Sequence, residues 1–99
     1  MIKMITIIAT LFIKEGKMEE AIRILKQIVP KIRESEPNCI SYIPHLLKGK
    51  KNKNKIIFYE KYKDENAFTD HMANLPKNFE KIFPLLEKKI ESIVCNEII

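Results

Sequence analysis

Glycine is scarce in this chain: Gly16 and Gly49 are the only two. A GxGxxG turn needs three glycines, and these two stand too far apart in the chain to form a phosphate-cradling P-loop or a GxSxG nucleophile elbow, which argues against a tightly held nucleotide and an elbow-type serine nucleophile. Cysteine is equally sparse. Cys39 and Cys95 stand far apart with no CxxC and no His/Cys cluster beside them, which argues against a zinc site and for reduced thiols. Arginine is limited to Arg23 and Arg33, so lysine supplies nearly all of the net charge of +5. A nucleic-acid surface ordinarily adds arginine forks and aromatic platforms to its basic stretch, and neither is present. The abundance of Lys, Ile and Asn reads instead as a compositional bias. No hydrophobic run is long enough to span a membrane. The apolar stretch at residues 1–13 is interrupted by Lys3, closed by Lys14 and Glu15, and followed by no small-residue cleavage site. The expectation is a cytoplasmic protein with no membrane partner and no nucleic-acid partner.

What is present suits one small folded domain over residues 1–99. Hydrophobic residues make up 45% of the chain and charged residues 31%, a balance that supports a packed core rather than disorder. Residues 4–13 are rich in β-branched side chains and bounded by a Lys-Glu-Gly turn, so they predict a strand. Both of its faces are largely apolar, which predicts cover on both sides. Residues 17–34 predict a helix with Met18, Ala21, Ile22, Leu25, Ile28, Val29 and Ile32 on one stripe. Glu19 and Glu20 suit its first turn, and Pro30 should kink it without ending it. Residues 38–47 predict a second strand, and Pro44 places it at a sheet edge or a bulge. Residues 48–55 read as a basic hairpin loop and 56–63 as a third strand.

Asp64 is a candidate cap for a helix through about residue 74, with Phe68, His71, Met72 and Leu75 on one face. Pro76 then predicts the first turn of a further helix, striped by Phe79, Ile82, Phe83 and Leu86. Residues 88–98 predict a last strand. The order is β, α, β, β, α (broken), β. It implies an α+β fold of the ferredoxin-like, split βαβ kind (βαββαβ), an antiparallel four-stranded sheet with its helices on one face. Nothing remains to cover the other face, so a homodimer packed sheet against sheet is expected.

Few residues offer chemistry. His71 falls on the apolar face of its helix, where burial favours the neutral ring that a general base needs. A packed core histidine fits the same pattern. His45, near the end of the second strand, suits either an anionic substrate group or an ordinary exposed position. Tyr42, Tyr59 and Tyr62 lie on strands, where phenols are usually core residues but can donate a hydrogen bond to a carbonyl or phenolate. Glu60, if it faces inward, is expected to bridge to a lysine or arginine.

The stretch from Tyr59 through Glu60, Asp64, Glu65, Ala67 and Phe68 to His71 resembles the Tyr-Glu-x-Trp-x-Asp-Glu-x-Ala-hydrophobic-x-x-His run of the antibiotic biosynthesis monooxygenase family. Glu36, Pro37, Cys39, Tyr42 and His45 resemble the family's Glu-Pro-Gly-Cys-x-x-Tyr-x-x-His segment, and Gly16, Lys17 and Pro30 also fit. Tyr62 stands where many members carry Trp, and Asn38 where they carry Gly.

The resemblance implies a dimeric α+β barrel with a cavity between helices and sheet. It also implies oxygenation of a small aromatic, quinol or polyphenolic substrate with no metal, flavin or other cofactor. His71 would then be the catalytic base, Tyr42 and His45 polar contacts, and Phe68, Met72, Phe79 and Phe83 the apolar wall. The haem-degrading branch uses Asn, Trp and His where this chain has Ala9, His71 and Phe83, so haem degradation is not expected. Two other classes remain open: isomerase or lyase chemistry on a small carbonyl or phosphorylated metabolite, and a non-catalytic dimeric ligand-binding module.

Overall fold

The computed structural model describes residues 3–99. Met1 and Ile2, the start of the apolar N-terminal stretch, lie outside the described residues. Eight elements follow in order: β1 (Ile5–Phe12), α1 (Met18–Ser35), β2 (Cys39–Leu46), a 3-10 turn (Lys50–Asn52), β3 (Lys55–Tyr62), α2 (Glu65–Asn78), a second 3-10 turn (Phe83–Leu85) and β4 (Glu91–Asn96). The four strands form one antiparallel sheet in the order β2-β3-β1-β4. This is the ferredoxin-like α+β arrangement that the order of elements predicts.

Strict alternation in β1 and β3 sets the core. Ile5, Ile7, Ala9 and Leu11 from β1 and Ile56, Phe58, Glu60 and Tyr62 from β3 are buried on the helical face. Ala21, Ile24, Leu25, Val29 and Ile32 of α1 close over them. The α1 stripe is centred slightly differently from the sequence pattern. Ile24 is in the core, and Ile22 sits at its rim. Helix α1 runs through Pro30, whose ring is exposed. At its C-terminal end the Arg33 guanidinium donates two hydrogen bonds to the Tyr42 carbonyl oxygen, at 3.0 and 2.7 Å. That contact fixes the last turn of α1 against β2.

Strand β2 lies at the sheet edge, as Pro44 predicts. Its shared parity of Ile40, Tyr42, Pro44 and Leu46 does not translate into a buried face. The register shifts between Cys39 and Ser41, and only Tyr42 is buried while Ile40 and Leu46 are exposed. At this edge α1 stands off from the strand, and an open groove separates the two along Pro44 and Leu46.

A second correction concerns Pro76. It does not start a new helix. Asp64 caps α2 by accepting from the Ala67 amide at 2.9 Å, and α2 then continues through Pro76 to Asn78. Proline removes only its own amide bond, and near a helix end the next ones survive: Phe79 N–H donates to Leu75 O at 2.8 Å. The segment expected as a further helix is a series of tight turns. Phe79, Ile82 and Leu85 are buried in it, and Phe83 is 40% exposed. Leu86 makes an isolated bridge to Ile13, and β4 spans Glu91–Asn96, shorter than the predicted strand.

The opposite sheet face carries no helix. The registers align Ile43, Tyr59, Ile8 and Ile93 in one row across all four strands. Ile43 and Ile93 are exposed, at 40% and 64%.

Candidate active site

A cavity of about 110 Å³ lies between α2 and the helical face of the sheet. Its apolar lining includes Ile7, Ala9 and Leu11 from β1, Phe58 from β3, and Phe68, Met72 and Leu75 from α2, with Phe79 and Ile90 beyond. Besides Ser92, three polar residues line it: Tyr42, Glu60 and His71. Each arrives by local rules. Alternation in β3 sends Glu60 to the same side as Phe58 and Tyr62. Helical spacing stacks His71 over Ala67, and both are buried. Tyr42 lies directly opposite Glu60 on the neighbouring strand.

His71 is 2% exposed. Its ring packs between those of Tyr42 and Tyr62, with centroids 5.0 and 5.2 Å away. Nδ1 is 2.8 Å from Glu36 Oε1. A carboxylate only accepts, so in this pair Nδ1–H donates, and in the neutral ring the lone pair is then on Nε2. Nε2 stands 3.9 Å from Glu60 Oε1, too far for a direct hydrogen bond. The same Glu60 oxygen accepts from the Tyr62 hydroxyl at 2.7 Å. The second Glu36 oxygen, Oε2, is buried without a hydrogen-bond partner among the described residues.

Burial pushes the Glu60 carboxyl up to about 7, and the nearby Glu36 charge adds to the rise, while the Tyr62 hydrogen bond pulls the other way. Burial and the Glu60 charge hold the Tyr42 and Tyr62 phenols well above the usual tyrosine range. Burial, followed by the Glu36 charge, raises the Cys39 thiol to about 11. Both phenols and this thiol are therefore neutral at pH 7. They can donate hydrogen bonds but are poor nucleophiles.

Residues 4–76 match the family model for antibiotic biosynthesis monooxygenases. The chain belongs to this family. Solved structures carry the same fold. A protein from Shewanella oneidensis is 27% identical with a TM-score of 0.79, covering 96% of this chain and 91% of its own. One from Caulobacter crescentus, described as a candidate antibiotic biosynthesis monooxygenase, is 19% identical with a TM-score of 0.82, covering 98% and 92%. Another so described, from Nitrosomonas europaea, is 14% identical with a TM-score of 0.80, covering 99% and 93%. No curated protein matches the chain in sequence at a significant level.

Within this monooxygenase-type framework, the residues singled out in the sequence divide into two groups. His71, Tyr42, Phe68, Met72 and Phe79 all line the cavity. His45 and Phe83 do not. His45 is exposed on the edge strand, where Nδ1–H donates to the Ile43 carbonyl oxygen at 2.9 Å. It lines a separate, wider apolar groove of about 450 Å³ between α1 and β2, which no carboxylate lines. Phe83 packs its ring 6.2 Å from that of Phe79, on the outside of the turn that replaces the expected helix.

Two carboxylates complete the cluster. Glu36 had a place in the sequence only as part of a family motif. Glu60 was expected to meet a lysine or arginine, but its partners are Tyr62 and His71. The inward parity of Glu60 between Phe58 and Tyr62 was the signal that could have found it. Among the described residues, no group of three or more His, Cys, Asp or Glu is arranged to hold a metal ion. No helix among them is long and apolar enough to cross a membrane.

Proposed function

We propose that this protein is a cofactor-independent monooxygenase acting on a small quinol-like aromatic substrate, with His71 as its base. The observation that carries this reading is the Glu36–His71 pair. It leaves a lone pair on Nε2 at the wall of an apolar cavity. The cavity is comparable with the ~150 Å³ void that admits a single benzene ring, so a one-ring substrate fits it better than a fused polycycle.

His71 Nε2 takes a phenolic proton, and the Glu36 carboxylate stabilises the imidazolium that forms. The phenolate, now electron-rich, passes an electron to O2. The two radicals combine to form a carbon–oxygen bond, and the imidazolium proton completes a ring hydroperoxide. Cleavage of its O–O bond with loss of the ring C–H proton gives a new carbonyl and water. A hydroquinone and O2 thus become a hydroxyquinone and water. The protein binds, deprotonates and excludes solvent, and the oxidising power comes from O2. Tyr42, protonated and beside the cavity, is a donor for the developing oxyanion.

Oxygen uptake measured across a panel of one-ring and fused-ring quinols is the direct test. One-ring quinols should be turned over with one O2 consumed per product. Absence of uptake with every member would remove the oxygenase reading. In that case a proton-shuffling isomerisation becomes the better one, since His71 and Glu60 both face the cavity and that chemistry needs two such groups.

The reading includes a homodimer. The row Ile43, Tyr59, Ile8 and Ile93 gives the helix-free sheet face an apolar band across its width, and a second copy is the simplest cover for it. An interface on the order of 2,000 Å² in total is expected. Light scattering should give twice the chain mass at micromolar concentration, and Ile8→Asp should shift it to the monomer. A wild-type monomer under those conditions would contradict the assembly.

A further inference from the structure

Glu60 has no structural explanation in packing alone. It is 5% exposed on a central strand, among Phe58, Tyr62 and the cavity. A carboxylate in such a place is costly unless a fixed cation or several donors compensate it. The groups facing it are Tyr62 on its own strand, Tyr42 and Cys39 on β2, Glu36 just before β2, and His71 on α2. β1 contributes only the apolar Ile7 opposite it. No lysine or arginine is among them. Among the described residues, the group able to become a cation beside Glu60 is His71, at 3.9 Å.

We infer that Glu60 is a second catalytic group of this cavity, an acid that exchanges a proton with His71 Nε2 and protonates the departing oxygen. This rests on the oxygenase reading above and adds the proton donor which that reaction needs. In the ring hydroperoxide the O–O bond breaks as the distal oxygen takes the Glu60 proton and leaves as water. His71 Nε2 removes the ring C–H proton, whose electron pair forms the new carbonyl. That proton then crosses from Nε2 to the Glu60 carboxylate, through a small approach of the two groups, and both residues return to their starting states. With its carboxyl held near 7, Glu60 has both protonation states populated at neutral pH. Tyr62, whose hydroxyl donates to the Glu60 oxygen at 2.7 Å, is the positioning residue.

The experiment uses the full chain as Glu60→Gln and Tyr62→Phe, with two readouts. The first is infrared difference spectroscopy of the protonated carboxyl stretch, which needs no substrate. Wild type should lose that band as pH rises through about 7, Glu60→Gln should lack it, and in Tyr62→Phe it should persist to higher pH. The second is the pH profile of turnover with a one-ring quinol. Glu60→Gln should lower kcat roughly ten- to a hundredfold with little change in KM, and abolish the alkaline limb. Tyr62→Phe should move that limb upward. Wild-type kcat with an unchanged limb in Glu60→Gln, or no titrating band attributable to residue 60, overturns the assignment. If wild type oxidises no quinol, the oxygenase reading falls by itself, and the infrared titration still decides whether Glu60 holds the proton.

Discussion

His71→Gln should lower turnover of a quinol substrate by roughly 10²-fold or more, the usual scale of general acid–base contributions. Glutamine keeps much of the side-chain volume and a polar head but has no lone pair basic enough to take a phenolic proton. The loss should fall on kcat and leave KM nearly unchanged, because the apolar wall of Phe68, Met72 and Phe79 stays in place. Stability should fall as well. His71 is buried, and its hydrogen bond satisfies one oxygen of Glu36, whose other oxygen is already without a partner. Losing a hydrogen bond to a charged group costs about 1.5–3 kcal/mol. Measuring kcat and the melting temperature together separates the two effects. A variant that melts lower but turns over at the wild-type rate would make His71 a structural residue. The base would then have to be the substrate's own ionised form or another group.

Glu60→Gln should stabilise the protein at pH 8 and have little effect near pH 4. The Glu60 carboxyl is raised from 4.5 to about 7, chiefly by burial, so the folded state prefers the protonated acid. The stability tied to that preference is fully present below pH 4.5 and is lost progressively as pH rises to about 7. At pH 8 the folded protein carries the whole penalty, on the order of 3 kcal/mol at one pKa unit per 1.36 kcal/mol. Glutamine has nearly the same shape, cannot ionise, and still offers an oxygen to the Tyr62 hydroxyl. Its denaturation midpoint should therefore rise relative to that of wild type as pH increases across this window. Parallel pH dependences for the two proteins would place the ionised Glu60 in a better-compensated environment than its neighbours suggest. A group retained at this cost is what a catalytic role predicts, since activity commonly draws on destabilised sites.

Much of the molecule was legible in one dimension. Alternation along β1 and β3 sorts each strand into two faces, but both faces of β1 are apolar, and only the position of the helices decides which side, Glu60 included, is buried. The 3.6-residue spacing in α2 puts His71 inward. Asp64 is legible as a cap because a short carboxylate ahead of a helix accepts from its first free amides. Pro76 misled for an equally local reason. Its preference for a first helical turn is real, but a last turn tolerates it too, and only packing of the following Phe79 and Ile82 into the core decides between the two.

The cluster itself was less accessible. Glu36 and His71 are 35 positions apart, and no periodicity relates a residue after one helix to the middle of another. His45 illustrates the reverse: it lies in a motif-like segment with Tyr42, yet it lines the open groove beside α1 and not the cavity under α2.

The sequence by itself determined the order of elements, the apolar stripes of the two helices and the family. These follow from neighbouring residues along the chain: strand alternation, helix spacing, caps and motif runs. Only the tertiary structure decided that Glu36 holds His71, that Glu60 meets Tyr62 and His71 rather than a lysine, and that His45 and Phe83 stand outside the cavity. Those outcomes depend on how α2 settles on the sheet and where the edge strand shifts register. Both are set by packing many distant side chains at once, which no local pattern encodes.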